Sequence, residues 1–234
     1  LYTKVLKSPE AEDSDASTLA AALVELNRHD EAIALLKEYI PTHYNPRTAI
    51  NVLMVLDLPA ALPYLESVIR DTVMTENEVL DWAKEHVDRE QYMAASTILL
   101  VYQQLHGFLL GFEFALEVCY YAGRYHDIID LYENHVYREL IDSPIPSITY
   151  PYVMSLVRLG MREKALATAI EAHRKGCEFR DKYTDHKEPM RSAIKYSPAT
   201  TNSIITGYLA ILTNIIKALK SSDEIPPDDF DPIF

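Results

Sequence analysis

Residues 111–134 read GFEFALEVCYYAGRYHDIIDLYEN. Phe114, Val118 and Tyr121 recur at spacings of four and three, which sets them on one face of a helix. Ala122-Gly123-Arg124 breaks that period with a glycine turn, and Ile128, Leu131 and Tyr132 restart it. The stretch therefore predicts two amphipathic helices joined by a tight turn. Neither could bury its apolar face alone.

The same grammar recurs on both sides. Tyr152, Val153, Leu156 and Val157 precede Leu159-Gly160-Met161, after which Ala165, Leu166, Ala169 and Ile170 form a second face. Upstream, Ser17 stands as an N-cap before Leu19, Leu23 and Leu26. A polar turn at 27–30 leads to Ala32, Leu35, Leu36, Tyr39 and Ile40, and Pro41 stops that helix. Asn45 caps the next helix, Pro46 takes its first position, and it runs to about Leu56. Its partner begins near Pro59 and carries Ala61, Leu65 and Ile69, with Pro63 marking its true start or a kink. Thr75 and Glu78 have capping-box spacing, and they open a helix that contains Trp82. After Asp88 and Arg89 its partner carries Ala94, Ile98 and Tyr102.

Taking one small or apolar residue early in each second helix gives Ala32, Ala61, Ala94, Ile128 and Ala165, at intervals of 29, 33, 34 and 37 residues. Periods of this size are the signature of helical solenoids. The expectation is an all-α fold: a right-handed α-α solenoid of about five helix-turn-helix repeats plus a C-terminal helix. The expected organisation is an acidic leader over 1–16, the repeat array over 17–178, a basic connector over 179–197, a helix over 198–220 and an acidic tail over 221–234. Ser197-Pro198 opens that last helix, which carries Ile204, Ile205, Leu209, Leu212 and Ile216.

Composition narrows the function. Apolar residues make up 48% of the 234, enough for a packed core, and no apolar run approaches the length of a membrane span. The net charge of −13 opposes general nucleic-acid binding, which needs cations to displace counterions from phosphates. That charge is uneven. Residues 158–195 hold ten Lys or Arg and six Asp or Glu, a local +4, so the remainder carries −17. Cys119 and Cys177 match no zinc or redox spacing and fit a reducing compartment. The chain starts at Leu1 rather than Met, consistent with a leader upstream, and contains no recognisable targeting segment.

Chemistry-bearing motifs are missing. The eight histidines form no metal-binding pair, and His126 and His135 lie nine residues apart. Neither a phosphate-binding glycine loop nor a nucleophile elbow occurs. The expectation is a non-enzyme with no cofactor, no metal and no small-molecule substrate. Tyr120, Tyr121, Tyr125 and Tyr132 suit packing between repeats better than base stacking.

Two segments are candidate contacts. Arg158, Arg162, Arg174, Lys175, Arg180 and Lys182, continued by Lys187, Arg191 and Lys195, could grip RNA phosphates or an acidic protein surface. The competing expectation is that they pair with acids of the same chain. Phe230, Ile233 and Phe234, set among aspartates, could dock on a basic partner.

The run Ser147-Ile148-Thr149-Tyr150 through Met161-Arg162-Glu163-Lys164-Ala165-Leu166, closed by Lys175-Gly176, resembles the pentatricopeptide repeat. Ala122-Gly123-Arg124-Tyr125 looks equally like the tetratricopeptide family. The pentatricopeptide resemblance implies organellar RNA metabolism or a place in an organellar ribosome, with a mitochondrial address expected ahead of another organelle or the cytosol. RNA-reading members carry a polar residue near the start of the first helix, whereas the matching positions here are Phe114 and Pro151. Neither side chain can bond a base edge. The expected function is thus a scaffold subunit of an organellar ribonucleoprotein assembly that touches other protein subunits. A single-stranded RNA-binding factor is the alternative.

Overall fold

A computed structural model describes residues 13–43, 46–71, 74–133, 146–185 and 198–221. Every regular element among them is helical. The chain divides into two compact units, Leu1–Ala122 and Gly123–Phe234.

In the first unit, α1 (Asp13–Glu25), α2 (His29–Tyr39), α3 (Arg47–Leu56), α4 (Leu58–Asp71), α5 (Glu76–Val87), α6 (Tyr92–His106) and α7 (Phe112–Tyr121) follow one another, with a short 3-10 turn at Ile40–Thr42. Sequence neighbours α1 and α2, α3 and α4, and α5 and α6 pack as pairs. Between pairs, α1 and α2 touch α3, α4 touches α6, and α6 touches α7. The core is mostly aliphatic, and Trp82 is its largest fully buried side chain. In the second unit, α8 (Tyr125–Glu133), α9 (Pro146–Arg158), α10 (Arg162–Asp185) and α11 (Pro198–Ser221) pack in chain order.

The repeat is written in backbone geometry as well as in composition. Asn27, Glu90, Gly123 and Gly160 all adopt positive φ, between 57° and 74°. Each stands five residues before a buried residue of the following helix: Ala32, Ala95, Ile128 and Ala165. In three of the turns the next amide reaches back over five residues, Arg28 to Leu23, Gln91 to His86 and Met161 to Leu156, at 2.8–2.9 Å. That is the Schellman closure, which satisfies carbonyls left open at a helix end. Glycine enters this conformation freely, whereas Glu90 does so against its own Cβ. The second pair is built otherwise. Asp57 joins α3 to α4 alone, its carboxylate accepting from the Ala60 amide at 3.0 Å.

Alignment on these turns moves the third mark from Ala94 to Ala95, whose amide bonds the Gln91 carbonyl as Ala32, Ala61, Ile128 and Ala165 bond theirs. The intervals become 29, 34, 33 and 37 residues.

Several sequence expectations are corrected. Ser17 does not cap α1 but is buried inside it, and the helix already begins at Asp13, within the expected leader. Ala16 and Ala20, four apart and fully buried, form its core face, while Leu26 is 65% exposed. Small residues let α1 approach its neighbours closely, and Asp15 in its first turn suits the positive end of the helix dipole. Pro63 neither starts nor ends α4; it lies one turn inside, where the lost bond is the Pro59 carbonyl's. On α7 the buried set is Phe112, Ala115, Leu116, Val118, Cys119 and Tyr120, so Phe114 and Tyr121 fall on the open side. Pro46, not the first helical residue, occupies the cap position of α3, and Asn45 lies outside the described residues. Helix α10 continues through Asp185, beyond the expected boundary at 178. Lys175-Gly176 closes nothing. A Cβ at Gly176 would stand 2.9 Å from the Leu209 Cδ2, so glycine there lets α11 lie close against α10. The capping box of Thr75 and Glu78 forms as read, with Thr75 amide to Glu78 Oε2 at 2.7 Å and Glu78 amide to Thr75 Oγ1 at 3.3 Å.

Candidate functional site

The basic segment is carried by the end of α9 and by α10, and most of its described cations already have work inside the unit. Arg162 donates from Nη2 to the Ala218 carbonyl at 2.8 Å and from Nε to Leu219 at 3.2 Å. A guanidinium placed on the last open carbonyls of α11 caps that helix and meets the negative end of its dipole. Arg174 is held on both sides, by Glu171 at 2.6 and 2.8 Å and by Glu178 at 2.5 Å. The hydrogen bond to Glu171, then that to Glu178, raises the Arg174 pKa. Arg180 pairs with Asp181 at 3.1 Å. Arg158 is exposed and Lys175 half-buried; both have interactions within the structure. Lys182 belongs to α10, but its side chain is outside the described residues, as are Lys187, Arg191, Lys195 and the tail positions Phe230, Ile233 and Phe234. The geometry thus disperses the set: Arg162 serves a helix end and Arg174 a carboxylate pair.

A second cluster joins α8, α9 and α10. Tyr132 and Tyr152 stack face to face, their ring centroids 3.7 Å apart and 5° from parallel. The Tyr152 hydroxyl donates to Glu133 at 2.7 Å, and Lys164 donates to the same oxygen at 2.5 Å. Lys164, then Tyr152, holds the Glu133 carboxyl below the usual range, while burial and that bond push the Tyr152 phenol up. Stacked and bonded in this way, Tyr132 and Tyr152 serve packing. Tyr120 is buried as well, whereas Tyr121 is open.

The first unit holds a buried polar network that the sequence did not announce. Trp82 Nε1 donates to Asn51 Oδ1 at 2.6 Å, and the His86 Nε2 lies 3.0 Å from the same oxygen. An indole can only donate, so the Asn51 oxygen is pinned as acceptor and the His86 Nε2 must carry the proton. Burial holds His86 below its ordinary pKa, and Arg89 and Arg47 push the same way. Gln91 Oε1 lies 2.7 Å from the other ring nitrogen, Nδ1, a contact that raises the His86 pKa against the effect of burial. Arg47 lies 5.0 Å over the Trp82 ring and 2.9 Å from Glu85. The arrangement fixes α5 against α3. It offers no nucleophile and no open coordination position.

Among the described residues no group of three or more His, Cys, Asp or Glu could hold a metal ion, and both cysteines are free thiols. No helix among them is long and apolar enough to cross a membrane. Sequence reasoning also missed Glu117 on α7, a half-buried carboxylate whose pKa burial raises to about 7. Its signal was a lone acid between Phe114 and Tyr121 in an otherwise apolar turn.

Protein-family models, curated proteins and solved structures were all compared with the chain, and none matches. The repeat resemblance accordingly rests on the residues quoted for it.

Proposed function

We propose that this chain is a non-catalytic helical-repeat scaffold or adaptor that acts mainly through protein contacts, within an organellar, mitochondrial ribonucleoprotein assembly. In this reading the helix pairs of each unit stack as in a right-handed α-α solenoid, whose successive faces offer an extended surface to partners. The observation that carries it is the commitment of Arg162 and Arg174 to partners in their own unit. Cations spent on a helix end and on two glutamates are poorly placed to release counterions from a phosphate backbone. The acidic charge supports the same view, as do Phe114 and Pro151, where a base-reading side chain would be polar. The organellar setting rests on the pentatricopeptide resemblance alone.

The test is a pull-down of the tagged full chain from mitochondrial extract, with and without nuclease, read by mass spectrometry. Protein partners retained after nuclease are the expected result. Partners lost together with the RNA would replace the scaffold by the RNA-binding factor.

A further inference from the structure

Helix α7 has two unlike sides. Phe112, Ala115, Leu116 and Cys119 are buried, whereas Glu113, Glu117 and Tyr121 follow one another at i, i+4 and i+8, with Phe114 beside them. Tyr121 is 39% exposed, and the Tyr92 ring at the start of α6 meets it with centroids 5.2 Å apart. The open side is therefore aromatic, with a carboxylate set into it. Glu117 is half-buried and makes no hydrogen bond or ion pair with any described residue.

A carboxylate partly withdrawn from water needs a cation or a donor to offset the lost hydration. Most of the described cations of the unit are already engaged. Residues 13–122 contain seventeen Asp or Glu against six Lys or Arg, a net of −11. Five of those six cations are already paired: Arg28 with Glu31, Lys37 with Asp57, Arg47 with Glu85, Arg70 with Glu66 and Lys84 with Asp81. The sixth, Arg89, sits in the turn after α5. No described cation pairs with Glu117. A field of this sign attracts basic segments and repels acidic ones, nucleic acid included.

From this we infer that the Phe114–Glu117–Tyr121 side of α7, with Tyr92, is a docking surface for a basic segment of a partner protein, one Lys or Arg of which pairs with Glu117 while its apolar neighbours cover the rings. An aromatic floor adds cation–π attraction to the ion pair and supplies the apolar area that a surface ion pair lacks. The inference rests on the scaffold reading and names the class of partner.

The test is selection of a random dodecapeptide library, displayed on phage, against the full chain, followed by affinity measurements on the enriched peptides made synthetically. Enriched peptides should place Lys or Arg beside aromatic or aliphatic residues. Their affinity should fall about tenfold or more on Glu117→Gln and on Tyr121→Ser, the scale for one partner removed from a desolvated charge pair. It should change less than about twofold on Glu25→Gln, which removes an equal charge from the exposed end of α1. Glu117→Gln removes a half-buried charge and keeps the shape, so folding is not at risk. Three outcomes overturn the inference: no enrichment, enrichment without cations, or equal losses on Glu117→Gln and Glu25→Gln. The scaffold reading would survive any of these if nuclease-resistant partners persist in the pull-down. It falls if they do not, whatever the peptides do.

Discussion

Asn51 Oδ1 accepts the Trp82 indole N–H at 2.6 Å across 31 positions of sequence. One amide oxygen thus satisfies the only polar atom of the largest buried side chain and, at 3.0 Å, the ring of His86 as well. Replacing Asn51 by Ala strands two buried N–H groups. The expected loss is about 2–4 kcal/mol of unfolding free energy, since each orphaned donor costs ~1–3 kcal/mol. Urea denaturation with an unchanged m-value checks it.

His86 makes stability depend on acid. Its folded pKa lies below the ordinary 6.5, so in the unfolded chain it binds a proton first. Its contribution is complete above about pH 6.5 and is lost as pH falls from there toward the folded value. Glu78, held down by the Thr75 amide, and Glu133, held down by Lys164, act lower, below the ordinary carboxylate range. Chemical denaturation from pH 8 to pH 5 should therefore show the parent losing stability relative to His86→Gln before those carboxylates titrate. A difference between the two that does not change with pH would mean that His86 has the same pKa folded and unfolded.

Glu117 works in the opposite sense. Burial raises its folded pKa from 4.5 to about 7, so the unfolded chain ionises first as pH rises and stability is lost across that interval. Glu117→Gln should match the parent at pH 4, gain on it between pH 5 and 7, and hold a constant lead above. A lead independent of pH would mean that the carboxylate is ordinary.

Glu90 sits at φ 58° where two later turns have glycine. Glu90→Gly should relieve the Cβ strain and stabilise the first unit by about 1 kcal/mol, the usual cost of left-handed backbone net of glycine's entropy. Thermal unfolding would register it as a rise in Tm. A fall would show that the Glu90 side chain supports the turn.

Arg162 and Arg174 should separate sharply despite their similar place in the sequence. Arg162→Leu uncaps α11 and is expected to cost about 1–3 kcal/mol, the range for hydrogen bonds from a charged donor. Arg174→Gln breaks only exposed pairs and should leave Tm within error. Neither should change retention on immobilised single-stranded RNA. A marked loss of retention in both would revive the phosphate-gripping role.

The helix pairs were legible in the sequence because a helix must repeat its apolar residues about every 3.6 positions, and because turn residues are chosen for local backbone reasons. Phe114 to Tyr132 needed no third dimension to be read as two helices. Ala32, Ala61, Ile128 and Ala165 marked the period correctly, since each is a small or apolar residue at the fourth place of a second helix. Ser17 misled because a serine can cap a helix or hide in one, and the choice depended on Ala16 and Ala20 finding close neighbours.

Tertiary structure alone decided which side of α7 is covered, whether Arg162 is free, and how far Glu117 is withdrawn from water. Local periodicity carries the existence of a helix, because its bonds close over four residues. It carries nothing about what lies opposite a side chain. Arg162 and Ala218, or Asn51 and Trp82, are neighbours only because packed helices brought distant positions within hydrogen-bond reach. The sequence by itself determined the helix pairs; packing gave Arg162 and Asn51 their distant partners and left Glu117 without one among the described residues.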